Sequence, residues 1–192
     1  MDNLEKTFYF VRHAESLWNI KKLCQGKRDI ELSPKGLQDT VEFAKKLSDF
    51  PIEHIISSPL IRALRTAEAI QSYQQESDLT ILDEFAERDW GELEGISSEQ
   101  MYAIEKQEET DLSFDPGKNI ESRAKLKIRV QKGLDKAFDL STTPFIVSHG
   151  RLFLGLCDLL NIPIVRQISN LSLLEIKCCN SIWSVQNITD TI

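Results

Sequence analysis

A chain of 192 residues with 41% hydrophobic and 28% charged side chains is long enough to close a substantial core, and no apolar run in it approaches the roughly 20 residues needed to span a bilayer. Its formal charge of −7 argues against a general binder of nucleic acid or anionic membrane, so any anion site must be a local concentration of positive charge. Cys24, Cys157, Cys178 and Cys179 lack zinc-ligand spacing and read as reduced thiols of a cytoplasmic protein. The opening "MDNLEKTFYFV" has no basic leader and no small-residue cleavage site, so no signal peptide is expected.

In chain order, Phe8 to Arg12 reads as a buried strand that runs into two basic groups, Arg12 and His13. "SPKGLQDTVEFAKKL" opens a helix with Ser33 as N-cap and Pro34 at the first helical position, and Leu37, Val41, Ala44 and Leu47 recur at helical spacing. "HIISS" is a short strand, and Ser58-Pro59 reads as a second cap-plus-proline start. The helix that follows carries Leu60, Leu64, Ala67 and Ile70 on one stripe, with Arg62 off it. "LTILDEF" is a third strand, followed by the acidic loop "AERDWGELEG" and a polar helical region near Glu99 to Glu108. Residues 121–140 fit both a strand alternation and a helix stripe; no turn signal bounds a short strand, so helix is expected. "PFIVS" is a strand, "RLFLGLCDLLN" a largely buried helix, and "LSLLEIKC" with "IWSVQNI" a closing pair of strands.

This alternation predicts an α/β fold, a three-layer α/β/α arrangement with a mostly parallel central sheet. One domain is expected over residues 1–192, with a short acidic cap-like insertion at about 96–120. In such folds ligands sit beyond the carboxyl ends of the strands. Three strand ends carry cationic or imidazole groups: Arg12-His13, Ser58-Pro59 leading to Arg62, and His149-Gly150.

Two arginines and two histidines without partner thiolates suit a phosphoryl group. Guanidinium forks bind its oxygens and stay charged at working pH. They also disfavour imidazolium, which keeps His13 neutral and its lone pair free to attack phosphorus. His149 suits an equatorial oxygen of the transition state. A leaving alkoxide needs a proton, and Glu87 stands first among the carboxyls of "FAERDWGELEG", since a neighbouring phosphate dianion favours its protonated form.

"VRHAESLWN" resembles the signature of the histidine phosphatase superfamily, in its phosphoglycerate-mutase-like branch. "QGKRDIELSPKG", "SSPLIRALRTAEAI", "FAERDWGELEG", "PGKNIESRAKLKIRV" and "VSHG" follow in the family's order, so the resemblance covers nearly the whole chain. It implies that His13 is phosphorylated in the intermediate, that Arg12, Arg62 and His149 form the phosphate pocket, and that Glu87 donates the proton. It places Asn19, Gln25, Gly26 and Gly150 on the substrate side. It also implies a phosphoglycerate-mutase-like fold with no metal and no cofactor. The implied partner is a small-molecule phosphomonoester, with no nucleic acid and no membrane; no oligomeric state follows.

Departures from the pattern are Ala14 where glycine is usual, Arg65 where glutamine is common, "GKNIES" for a double-glycine form, and Arg151 after His149-Gly150. If the turn at Ala14 needs φ > 0, alanine adds about 1 kcal/mol of strain. Arg151 either narrows substrate choice or adds an anion contact.

Plainer readings stand beside these. Asn19 also suits a turn cap, and Gln25 a loop surface. His54 reads as structural or exposed, Lys27, Arg28 and Arg88 as steering or surface charges, and Trp18, Trp90 and Trp183 as packing. The insertion offers Lys106 and Lys118 against six carboxylates, which disfavours a bisphosphate and leaves a phosphohistidine open to water. A phosphatase is therefore expected, ahead of a mutase-type phosphotransferase or a catalytically weak phospho-ligand or protein-binding module.

Overall fold

A computed structural model describes residues 5–111, 114–115, 117, 119–163 and 167–192; Lys118 lies outside them. Six strands form one sheet: β1 (Lys6–Arg12), β2 (His54–Ser57), β3 (Asp78–Ile81), β4 (Phe145–Ser148), β5 (Leu173–Cys179) and β6 (Ile182–Asn187). Their order is β3-β2-β4-β1-β5-β6. The first four in that order are parallel, and β5 and β6 are antiparallel additions at one side. The sheet is thus mixed with a parallel majority, and the α/β class expected from the alternation is what the chain adopts.

Helices α1 (Leu17–Ile20), α2 (Pro34–Lys46), α3 (Ile61–Ser72), α4 (Ser98–Thr110), α5 (Arg123–Leu140) and α6 (Gly150–Leu160) complete it. Successive strand residues face opposite sides. Phe8, Phe10 and Ile146 pack against Leu126, Val130 and Leu134 of α5 and Phe153 and Leu156 of α6. Val11, Ile55, Phe145 and Val147 pack against Phe43 and Ala44 of α2 and Ala63, Ala67 and Ile70 of α3. Both faces of the central strands are covered, which is why they read as unbroken apolar runs. A smaller cluster of Cys24, Trp90 and Met101 holds α4 over one end of the sheet.

Residues 121–140 are helical as expected. Leu126, Val130, Leu134 and Ala137 are buried while Ile128 is 67% exposed, so the helical stripe wins over the alternation. In α2 the expected stripe holds at Ala44 and Leu47, both buried, but Leu37 and Val41 are half exposed, and Gly36, Thr40 and Phe43 are buried in their place. The cause is a close backbone approach. A Cβ on Gly36 would sit 2.1 Å from the Glu15 carbonyl oxygen, so the helix is rolled to bring its glycine inward. Ser33 caps α2 by accepting from Gly36 N–H.

The start of α3 differs too. Its N-cap is Leu60, with no side-chain bond, while the Ser58 hydroxyl accepts Leu60 N–H at 3.2 Å. Arg62, expected off the stripe, is fully buried on the same side as Ala63, Thr66, Ala67 and Ile70. Among the described residues no helix is long and apolar enough to cross a membrane, and all four cysteines are free.

Candidate active site

Strands β2, β4 and β1 lie side by side and parallel, with Arg12 in register with Ser148 and Val147 with Ser57. Their carboxyl ends therefore coincide, and the residues just beyond them meet. The rings of His13 and His149 are 5.1 Å apart. Both histidines are buried, and Arg62 is fully so.

His13 is fixed at three points. Its backbone N–H donates to Ser148 O at 2.9 Å, its carbonyl accepts from the Asn170 side chain at 2.7 Å, and its Nδ1 lies 2.7 Å from Ala14 O. A carbonyl only accepts, so Nδ1 carries the proton and Nε2 keeps the lone pair. Burial, then the Arg62 and Arg12 charges, hold the imidazole well below its ordinary pKa of 6.5. Ala14 is not strained: it is absent from the described residues with positive φ, and its N–H donates to the Thr66 hydroxyl at 3.1 Å. The alanine fits because the turn does not need the left-handed region.

Arg12 donates from Nη1 to Ile168 O at 2.6 Å. Arg62 donates from Nη1 to Arg28 O at 2.8 Å and from Nη2 to Gly26 O at 2.9 Å. Backbone acceptors thus orient both guanidinium groups. Each keeps a buried Nε with no partner in the structure, as does Nδ1 of His149. Burial lowers both arginines, Arg62 to about 10, which leaves them charged at neutral pH. His149 Nε2 lies 2.7 Å from Ser58 Oγ, and burial followed by the Arg62 charge hold this ring well below 6.5 as well.

Glu87 is separated from the other carboxyls of its loop by where it points. Its oxygens accept N–H bonds from Leu152 at 2.8 Å, Arg151 at 3.1 Å and Arg88 at 2.9 Å, which seats it on the first turn of α6. Glu84, Asp89 and Glu94 pair instead with Lys136, Lys27 and Arg28.

Arg12, His13, Asn19, Gln25, Gly26, Arg62, Glu87 and Gly150 all line one cleft. His149 lies fully buried beside His13, with its Nδ1 free of any partner. Asn19 and Gln25 are tied to Ser16, whose hydroxyl is 3.0 Å from Asn19 Oδ1 and 2.7 Å from Gln25 Oε1. Gly26 has φ +52°, and a Cβ there would overlap the Glu94 carboxylate. Gly150 lies against Arg12, where a Cβ would come within 3.6 Å of Nε.

The roof of the cleft is α4, contributing Ser98, Met101 and Tyr102. Arg151 lines the wall, its Nε 2.8 Å from Glu105 and its guanidinium 4.8 Å from the Tyr102 ring centre. Burial pushes the Glu105 carboxyl up to about 7 against the pull of Arg151 and Arg88. Arg88 is not a surface charge: it is buried in a two-pronged bond to Glu108, at 2.6 and 2.8 Å. Arg65 is on the surface with Glu68. His54 bonds the Thr80 hydroxyl. Cys24 lines the cleft, but burial raises its thiol to about 12, which rules it out as a nucleophile. Among the described residues no cluster could hold a metal ion.

Sequence reasoning missed Ser16, Ser58, Thr66, Asn170 and Glu105. Ser58 and Thr66 sit inside the recognised "SSPLIRALRTAEAI", so their hydroxyls were within reach. Asn170 comes from a loop with no motif.

The model of the histidine phosphatase superfamily (branch 1) matches residues 8–191. A probable phosphoglycerate mutase, GpmB of Salmonella choleraesuis, is 34% identical over 74% of this chain and 68% of its own. The uncharacterized phosphatase PhoE of Bacillus subtilis is 42% identical over 47% of this chain; the match spans less than half, 46%, of PhoE. Among solved structures, a phosphoglycerate mutase from Bacillus anthracis superposes with TM-score 0.82 at 23% identity, covering 98% of this chain and 94% of that one. With the family model covering nearly its whole length, the chain belongs to the histidine phosphatase superfamily, branch 1.

Proposed function

We propose that the protein hydrolyses small phosphomonoesters through a phosphohistidine on His13. The observation that carries this is the neutral, buried His13, its Nδ1 proton tied to Ala14 O, set between Arg12 and Arg62 whose Nε atoms have no partner. Leaving such buried donors unsatisfied costs about 1–3 kcal/mol each, a cost that a bound phosphoryl dianion would offset.

In the first step Nε2 of His13 attacks phosphorus. Arg12 and Arg62 hold the equatorial oxygens, and His149 donates from Nδ1. Glu87, as the carboxylic acid, protonates the leaving oxygen as the P–O bond breaks. In the second step Glu87, now a carboxylate, takes a proton from water as that water attacks the phosphohistidine, releasing phosphate and restoring His13. Asn19, Gln25, Gly26 and Gly150 line the substrate side.

A panel of phosphomonoesters across pH 5–8 tests this. His13→Ala is expected to abolish phosphate release. Glu87→Gln is expected to hurt esters of poor leaving groups most, and equal losses for good and poor ones would remove Glu87 from the acid role. A mutase would instead retain its phosphohistidine and interconvert phosphoglycerate isomers stoichiometrically. Against that reading, three of the four carboxylates of α4 are tied to arginines, and the helix offers no matching row of cations to a second phosphate.

A further inference from the structure

Arg12 and Arg62 are grouped with His13 at the strand ends and answer the charge of the phosphoryl group. Among the described residues that line the cleft, Arg151 is the one further cation. It therefore stands toward whatever the phosphate is attached to.

Its charge has a counter-ion in Glu105, although its Nε, like those of Arg12 and Arg62, makes no hydrogen bond. Nε of Arg151 lies 2.8 Å from Glu105 Oε1, and the two side chains are only 10% and 17% exposed. Tyr102 stacks on the guanidinium, and Arg151 N–H holds Glu87. Leu23, Trp90, Met101 and Ile168 also line the cleft, together with the uncharged polar Gln25, Ser98 and Gln167. An uncancelled unit charge a few ångströms from a ligand carboxylate in a partly buried site changes affinity by about tenfold or more.

We propose that Glu105 determines specificity: by cancelling Arg151 it turns the leaving-group side of the cleft against a second anion. The preferred substrates are then phosphomonoesters of uncharged or cationic alcohols, not phosphorylated acids. This rests on the phosphomonoesterase reading above and deepens it.

The test compares sn-glycerol 1-phosphate with 3-phospho-D-glycerate, which match in length and in configuration and differ by a hydroxymethyl against a carboxylate. It is run at pH 8, where a carboxyl titrating at about 7 is ionised. Two readouts are taken: kcat/KM for phosphate release, and the Kd of each ester by calorimetry in a His13→Ala background. The wild type is expected to favour the glycerol ester by about tenfold. Glu105→Gln keeps the shape of the roof and is expected to lower that preference about tenfold, chiefly through the KM of the anionic ester. Adding Arg151→Gln is expected to restore it. A preference unchanged or increased in Glu105→Gln, or a wild type that favours phosphoglycerate, overturns the proposal. If no ester of the wider panel releases phosphate, the hydrolase reading fails, and the Kd ratios of these two still decide the charge selectivity.

Discussion

At the scale of single residues, the site works by fixing protons as much as charges. Ser58 Oγ already accepts Leu60 N–H, so its own proton is directed at His149 Nε2, which leaves the imidazole proton on Nδ1. Ser58→Ala is expected to lower kcat by about tenfold with little change in KM, since one hydrogen bond of about 1.4 kcal/mol is worth that factor in rate. Steady-state kinetics would show it, and an unchanged kcat would mean that His149 is oriented by its packing alone. Ala14 is the second case. Because its turn lies outside the left-handed region, Ala14→Gly gains no relief and frees the unfolded chain. Urea unfolding is expected to show a loss of about 1 kcal/mol; a gain in stability would reinstate the strained turn.

At the scale of elements, α4 is the part that the sequence misrepresents. Its carboxylates read as an acidic cap that disfavours a bisphosphate, with no sign of partners. Three of them lie on one side of the helix and reach arginines from separate segments: Glu105 to Arg151, Glu108 to Arg88, and Glu109 to Arg123. The acidic insertion is a clamped roof. Arg88→Ala leaves Glu108 buried without its partner and is expected to cost about 3–5 kcal/mol in denaturant unfolding. Replacing both, as in Arg88→Met with Glu108→Leu, should recover most of that. A double variant as unstable as the single one would show that the pair is not the cause.

At the scale of the whole molecule, buried titratable groups tie stability to pH in opposing senses. His13 and His149 titrate well below 6.5 when folded and near 6.5 when unfolded, so below that pH the unfolded chain binds the extra protons. Each histidine then withdraws up to about 1.4 kcal/mol per pH unit as the solution is acidified. Glu105 does the reverse: between 4.5 and about 7 the folded protein holds the extra proton, and its contribution grows as pH falls. Melting temperature followed from pH 7.5 to 5 is expected to fall in the wild type and to fall more steeply in Glu105→Gln. Equal slopes would show that Glu105 titrates normally. The α/β class and the meeting of three strand ends were legible in the sequence, because apolar runs that stop at Arg12-His13 and His149 mark themselves. The acceptors that orient the arginines were not, since Gly26, Arg28 and Ile168 act through backbone carbonyls and no side-chain pattern announces them. The burial of Arg62 and the roll of α2 were also hidden, because close approach and internal pairing override apolar spacing.

The place of β1 in the sheet has a consequence for timing. It lies between β4 and β5, so the strand that carries the nucleophile finds both neighbours only in segments made much later, at Phe145–Ser148 and Leu173–Cys179. At a synthesis rate of about 5–20 residues per second, Phe8, Phe10 and Val11 spend roughly ten seconds or more as an unpartnered apolar segment on the nascent chain. Activity is thus among the last properties the chain acquires, and the nucleophilic strand is the one most in need of protection while the ribosome works.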